Sequence, residues 1–239
     1  FCVSTDKAAN PVNLMGASKK IMEMFLNYES KNISISSARF ANVAFSDGSL
    51  LHGLNQRIIK EQPISAPIDI KRYFISSKEA GELCLMSCLL GNNNDIFFPK
   101  ENSQLQLTDF ISIVSNYLRQ KGYEPFLCQT EDEARKKCDE LIKIKKWPCF
   151  FFKSDTTGEK PFEEFYTKNE TVYLKKFIDV GIVKNNSNFN VDALTEFYEE
   201  FNIMRSDLDW DKLRIIKQIN KLLPEFIHNE LNKNLDQRM

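Results

Sequence analysis

Thr5, Asp6 and Lys7 stand in a row, and Lys19 follows in the same stretch. A hydroxyl, a carboxylate and an ammonium side by side can bind a substrate hydroxyl, donate a proton and remove one. Phe1, Cys2 and Val3 ahead of them are apolar and suit a buried strand. Pro11 excludes the α conformation at the residue before it and stops any early helix. Asn13 suits the N-cap of a helix from Leu14, along which Met15, Ile21, Met22 and Phe25 recur at helical spacing. The polar triplet therefore sits at the carboxyl end of a strand, where open α/β sheets place their ligands. Lys19 lies one helical turn after Met15 and faces the same way. Residue types alone also allow a solvated Asp–Lys pair, with Lys19 a surface lysine.

The run Ser-Thr-Asp-Lys-Ala-x-Asn-Pro-x-Asn-x-Met-Gly-Ala-Ser-Lys, from Ser4 to Lys19, resembles the active-site segment of the UDP-N-acetylglucosamine 4,6-dehydratases. These are extended short-chain dehydrogenase/reductases of polysaccharide and nonulosonate biosynthesis. Most of that superfamily carries Tyr-x-x-x-Lys here. This chain has Met15-Gly16-Ala17-Ser18-Lys19, as one branch of the dehydratases does, so the proton traffic falls on Thr5, Asp6 and Lys7.

Composition sets wider bounds. The 239 residues are 42% hydrophobic and 27% charged, ordinary for a globular chain with a sizeable core. The net charge of −1 gives no bulk signal for nucleic acid. No apolar run approaches a membrane span, and a cytoplasmic location is expected. The cysteines form no Cys-x-x-Cys pair and there are only 2 histidines, so no metal site is expected and reduced thiols are. No Gly-x-Gly-x-x-Gly segment occurs among the 8 glycines. A dinucleotide enzyme needs that turn at the pyrophosphate. Its absence, with the start in mid-strand, gives the expectation of the carboxyl-terminal part of a longer protein.

Further along, Ile33–Phe45 is strand-like, Ser46-Asp47-Gly48-Ser49 is a turn, and Leu50–Lys60 an amphipathic helix. Pro63–Ile75 reads as extended, Ser77–Leu90 as a helix capped by Ser77, and Asp95–Lys100 as a short strand. Helices are expected from Leu107 to Lys121 with Thr108 as cap, and from Thr130 to about Ile144. Phe150–Phe152 is a buried-strand candidate. Asn185–Asn188 reads as a linker. It is followed by helices over Val191–Phe201 and Trp210–Leu223 and a third from Pro224.

The resemblance covers roughly residues 1–180 and implies an α/β fold. That fold is the carboxyl-terminal part of an extended short-chain dehydrogenase/reductase: a Rossmann-like parallel sheet, a substrate-binding subdomain and a helical tail. Residues 1–184 would be the catalytic and substrate-binding part, and 185–239 a helical extension. The resemblance also implies NAD- or NADP-dependent 4,6-dehydration of a UDP-N-acetylhexosamine, with the cofactor bound mainly outside this chain. Thr5 would hold the 4-hydroxyl, Lys7 take the C5 proton, and Asp6 protonate the departing 6-hydroxyl. Lys7 as base needs a neutral amine, which burial or neighbouring cations would supply. Ser4 and Lys19 would face the cofactor, Lys19 at the nicotinamide ribose. Met15, Asn42, Gly48, Ser49, Arg72, Glu159 and Lys160 would line the UDP-sugar, Arg72 at the diphosphate. A homo-oligomer is expected for the full-length protein. Three alternatives stay open on residues alone: a plain strand–turn–helix at Asn42–Ser49, a surface salt bridge at Arg72, and a charged turn at Glu159–Lys160. Two rival functions also remain: a nucleotide-sugar epimerase or reductase on the same scaffold, and a catalytically incompetent piece with an assembly role.

Overall fold

The computed structural model describes residues 1–102, 105–186, 189–208 and 211–228. In chain order the strands and helices begin with β1 (Cys2–Thr5), α1 (Leu14–Glu29), β2 (Ser36–Phe40), β3 (Asn42–Val43) and α2 (Leu50–Ile59). Next come β4 (Ile64–Pro67), β5 (Lys71–Arg72), β6 (Phe74–Ile75), α3 (Ser77–Leu90), β7 (Asp95–Pro99), β8 (Thr108–Asp109) and α4 (Phe110–Gln120). The remainder is β9 (Glu124–Leu127), α5 (Glu131–Lys136), α6 (Cys138–Lys143), β10 (Lys146–Phe152), β11 (Thr171–Tyr173), β12 (Val180–Lys184), α7 (Val191–Ser206) and α8 (Lys212–Leu222). Among the described residues no helix is long and apolar enough to cross a membrane.

The chain divides into two compact units. The first comprises Phe1–Ala41, Lys78–Asn102 and Glu164–Glu230. Its sheet has the order β1-β2-β7-β12-β11. β1 and β2 run parallel with Ser4 opposite Arg39 and Thr5 opposite Phe40, and β2 is parallel to β7. β12 and β11 then add antiparallel. Ala38, Leu83, Phe97 and Ile182 form one apolar cluster. A second joins Ala17, Ile21 and Met24 of α1 to Leu194, Ile219 and Leu222 of α7 and α8. The helices beyond residue 184 thus pack on α1 within this unit. Gly181 leaves room for the ring of Phe98, which stacks on Phe165 with centroids 5.8 Å apart.

The second unit comprises Asn42–Ser77 and Ser103–Glu163, with residues after Glu230 that lie outside the described ones. It holds a parallel sheet β4-β10-β9, a parallel pair β3-β6 and an antiparallel pair β5-β8. Its core joins Leu54, Ile64, Val114, Leu118 and Trp147. The thiol of Cys149 is buried there, and burial pushes it up to about 12, so it stays protonated and serves as packing.

Several elements differ from expectation. Ile33–Phe45 gives two short strands instead of one. Asp109, not Thr108, caps α4, its Oδ1 accepting from Ser112 N at 2.8 Å, because the helix starts at Phe110, later than expected. Thr130 does cap a helix, but that helix breaks at Lys137 into α5 and α6. The expected starts at Trp210, and the linker residues Ser187 and Asn188, lie outside the described residues. Pro224–His228 is turn and coil, and the rest of the third expected helix is outside them.

Candidate active site

β1 delivers Thr5 into a short 3₁₀ turn, Asp6–Ala8, with the Thr5 hydroxyl accepting from the amide of Lys7 at 3.4 Å. The same hydroxyl donates to Asp6 Oδ1 at 2.9 Å, and Lys7 Nζ reaches that oxygen at 3.0 Å. Asp6 is 1% exposed, while the side chain of Lys7 keeps 21% of its surface. The structure therefore brings Thr5, Asp6 and Lys7 onto one carboxylate oxygen. Lys7 thus pairs with a carboxylate, whereas the sequence reading asked for burial or neighbouring cations around it.

The start of α1 fits against this turn. Asn13 Oδ1 accepts from Gly16 N at 2.8 Å and fixes the first helical turn. A Cβ on Gly16 would lie 2.6 Å from the carbonyl oxygen of Lys7, so only glycine lets helix and turn meet this closely. Met15 is 48% exposed and carries no titratable group. Lys19 is half-buried on α1, and among the described residues no carboxylate pairs with it.

Ser4 departs from its expected role at the cofactor. It is 2% exposed and its hydroxyl donates to Glu23 Oε1 at 2.7 Å. That oxygen belongs to a buried ion cluster the residue types did not announce. Arg39, 0% exposed, places all its N–H donors. Nε and Nη2 reach Glu23 at 2.9 and 2.7 Å. Nη1 and Nη2 reach Glu170 at 2.9 and 2.6 Å, and Nη1 also donates to the carbonyl of Phe165 at 2.8 Å. Lys20 Nζ adds an ion pair to Glu170 at 3.2 Å. Burial alone would push the Glu170 carboxyl up. The hydrogen bonds and charge of Arg39, with Lys20, outweigh it and hold the group at about 2. Burial likewise opposes the charge on Arg39, and its two carboxylates overcome that and hold it above its ordinary range. Asn10 Nδ2 donates to Glu164 Oε2 at 2.6 Å, a further tie between the Thr5–Lys19 stretch and the late loop.

In the second unit, Arg72 is 6% exposed on β5. Its Nη1 donates to the carbonyls of Lys71 and Lys160 at 2.8 and 2.9 Å, and its Nη2 lies 3.5 Å from Glu159 and 3.9 Å from Glu163. Glu159 also accepts from Ser154 and Thr156, both at 2.6 Å, and Lys160 Nζ lies 3.1 Å from Glu163. The structure thus gathers Arg72, Glu159 and Lys160, expected to line the UDP-sugar, and adds Glu163. It also shows that these charges fasten the 154–163 loop. In the same unit, Gly48 takes a positive φ of 71° and Ser49 caps α2, its hydroxyl accepting from His52 N at 3.3 Å. Asn42 lies on β3, its amide bonded to the carbonyl of Tyr73 at 3.1 Å. Among the described residues no group of three or more His, Cys, Asp or Glu is placed to hold a metal.

Residues 1–184 match the family described as polysaccharide biosynthesis protein. An uncharacterized membrane protein of Methanocaldococcus jannaschii, MJ1061, is 34% identical over 188 residues, 76% of this chain and 50% of that one. The capsular polysaccharide biosynthesis protein CapD of Staphylococcus aureus is 31% identical over 172 residues, 70% of this chain and 25% of that one. This chain therefore spans half or less of the length of these relatives. Among solved structures, Pen from Bacillus thuringiensis matches with a TM-score of 0.58 at 18% identity, over 76% of this chain and 50% of that one, and shares the fold. Because the family match begins at the first residue, takes in the Thr5-Asp6-Lys7 turn and runs through β12, this chain belongs to the polysaccharide biosynthesis protein family.

Proposed function

We propose that the full-length protein is a NAD(P)-dependent UDP-N-acetylglucosamine 4,6-dehydratase, making a 4-keto-6-deoxy sugar nucleotide for surface polysaccharide. The observation that carries this reading is the Thr5-Asp6-Lys7 turn: a buried carboxyl 3.0 Å from an ammonium, beside an exposed Met15. A simple 4-epimerase needs no acid for a leaving hydroxyl, whereas elimination needs both an acid and a base.

The residues fit a nicotinamide cofactor at one end only. Lys19, half-buried and without a carboxylate partner among the described residues, would hold the nicotinamide ribose. Ser4 does not fit, since its hydroxyl is committed to Glu23. When bound, the cofactor supplies hydride acceptance and return. The chain's own residues handle the protons. The Thr5 hydroxyl orients the C4 hydroxyl, whose proton passes to solvent as the C4–H bond gives up hydride. A ketone at C4 acidifies the C5 proton, and Lys7 Nζ takes it. The C6–O bond breaks, and the Asp6 carboxyl gives its proton to the departing hydroxyl, which leaves as water. After water loss C5 is reprotonated from Lys7, which exchanges with solvent. The ion pair and its neutral tautomer hold the same protons, so one shift along the 3.0 Å contact produces amine and acid together.

The test is to incubate the full-length protein with UDP-N-acetylglucosamine in deuterated water and follow the sugar by NMR. The 4-keto-6-deoxy product with deuterium at C5 is expected. A C4 epimer formed without C5 deuterium refutes dehydration and supports the epimerase reading.

A further inference from the structure

The Arg39 cluster takes no part in the proton steps, yet its members flank the residues that do. Ser4 precedes Thr5 in the chain, and Lys20 follows Lys19. Ser4 is held by Glu23 at 2.7 Å and Lys20 by Glu170 at 3.2 Å, and both carboxylates are gripped by the one guanidinium. Four separate stretches meet there: β1, α1, β2 and the loop 164–170. Ser4 and Arg39 are also direct partners in the β1-β2 ladder.

The chemistry of burial narrows what such a cluster is for. Taking three charges out of water is costly, and well-packed apolar side chains of the same volume hold a core as well or better. What apolar packing lacks is direction. A guanidinium fork meeting two carboxylates fixes the orientation of both. Each carboxylate then fixes a hydroxyl, an ammonium or a backbone amide, including Thr167 N on Glu170 Oε2 at 2.8 Å.

We infer that Arg39 is a positioning residue: through Glu23 and Glu170 it locks the Thr5-Asp6-Lys7 turn and the start of α1 in register with the loop 164–170. This deepens the dehydratase reading and rests on it for the kinetic arm below, but not for the exchange arm. The role inferred for the cluster needs no contact with substrate. Its effect is on where Thr5 and Lys19 stand, and on whether the late loop stays seated when they act.

The experiment replaces the whole cluster, so that no charge is left buried alone. In Arg39→Met/Glu23→Leu/Glu170→Leu, amide exchange over residues 5–9 is measured in the absence of any sugar nucleotide. At least tenfold faster exchange there, with β7 as protected as before, is expected. Unchanged exchange over 5–9, or a triple variant that fails to fold, makes the cluster a stability device and overturns the inference. Glu170→Gln serves as the second variant, since it keeps an acceptor for Thr167 N. Faster exchange in both 165–170 and 5–9 supports coupling, and a change confined to 165–170 refutes it. In the full-length enzyme the triple variant should lose about 10²-fold in kcat with KM nearly unchanged, as expected for reacting groups misplaced by about 1 Å. If the protein proves not to be a dehydratase, the exchange result still stands or falls alone.

Discussion

Gly16→Ala is a small change that should separate stability from activity. The added methyl would sit 2.6 Å from the carbonyl oxygen of Lys7, and 3.3 Å from both Asn13 Oδ1 and Pro11 Cβ. Ordinary contact begins at 3.4 Å, so the Lys7 carbonyl must retreat by about 0.8 Å. It is a backbone atom and has no torsion by which to swing aside, so the turn or the helix start must shift. Two effects on stability oppose each other. Alanine in place of a helical glycine gains about 1 kcal/mol, and overpacking costs about 1–3 kcal/mol. The net change is a loss of about 1 kcal/mol, too small to be diagnostic by itself. Turnover is diagnostic. A displacement near 1 Å at the reacting groups costs about 10²-fold, so kcat should fall between about tenfold and a hundredfold. The assay is formation of the 4-keto-6-deoxy sugar by the full-length protein, alongside urea unfolding. A Gly16→Ala protein that is more stable by about 1 kcal/mol and turns over normally would falsify the close fit of turn and helix.

The remaining predictions address the acid–base pair, the second unit and pH. Lys7→Met should abolish solvent-deuterium incorporation at C5, and Asp6→Asn should block water loss while allowing C5 exchange, with rate losses of about 10²–10⁴-fold each. Met15→Ala should cost only packing, and damage equal to that of Asp6→Asn would show that the assignment is wrong. Arg72→Ala removes the anchor on the carbonyls of Lys71 and Lys160, and KM should rise more than kcat falls. A collapsed kcat at constant KM counts against that. Glu170 is held at about 2 against an ordinary 4.5. A depressed carboxyl contributes stability above its unfolded value and loses it as pH falls through its folded one. The contribution is therefore complete above about pH 4.5 and gone near pH 2, at a few kcal/mol in all. Glu170→Gln should flatten the acid limb of the stability curve in that window, and an unaltered limb would remove Glu170 from the account.

Local signals placed most elements. Asn13 followed by helical periodicity is α1, and Thr130 before acidic residues is α5. Misses occurred where residue types left a choice open. Thr108 and Asp109 are both good caps by type, and the start of α4 at Phe110 puts the role on Asp109. Nothing in the residue types around Lys137 marks the break between α5 and α6, where the Cys138 thiol donates to the carbonyl of Glu61 at 3.0 Å. The Thr5-Asp6-Lys7 turn was legible because its groups are consecutive and a proline isolates them from the helix.

The Arg39 cluster was illegible for the opposite reason. Glu23 reads as one polar residue on an amphipathic helix and Glu170 as one of several charges in a loop, 16 and 131 positions from their partner. One signal was present: an arginine between Ala38 and Phe40 in a strand that runs parallel in a covered sheet has nowhere to put its charge except on another side chain. The same physics revises the late loop. Glu159 and Lys160 drew a ligand role from the family resemblance, while residue types alone allowed a charged turn. In the folded chain Glu159 meets Ser154, Thr156 and Arg72, and Lys160 meets Glu163. A buried charge must be satisfied by the protein before it can serve a ligand. Arg39 shows the limit of that rule: all its N–H donors are placed on Glu23, Glu170 and the carbonyl of Phe165, so it serves the fold and not a ligand.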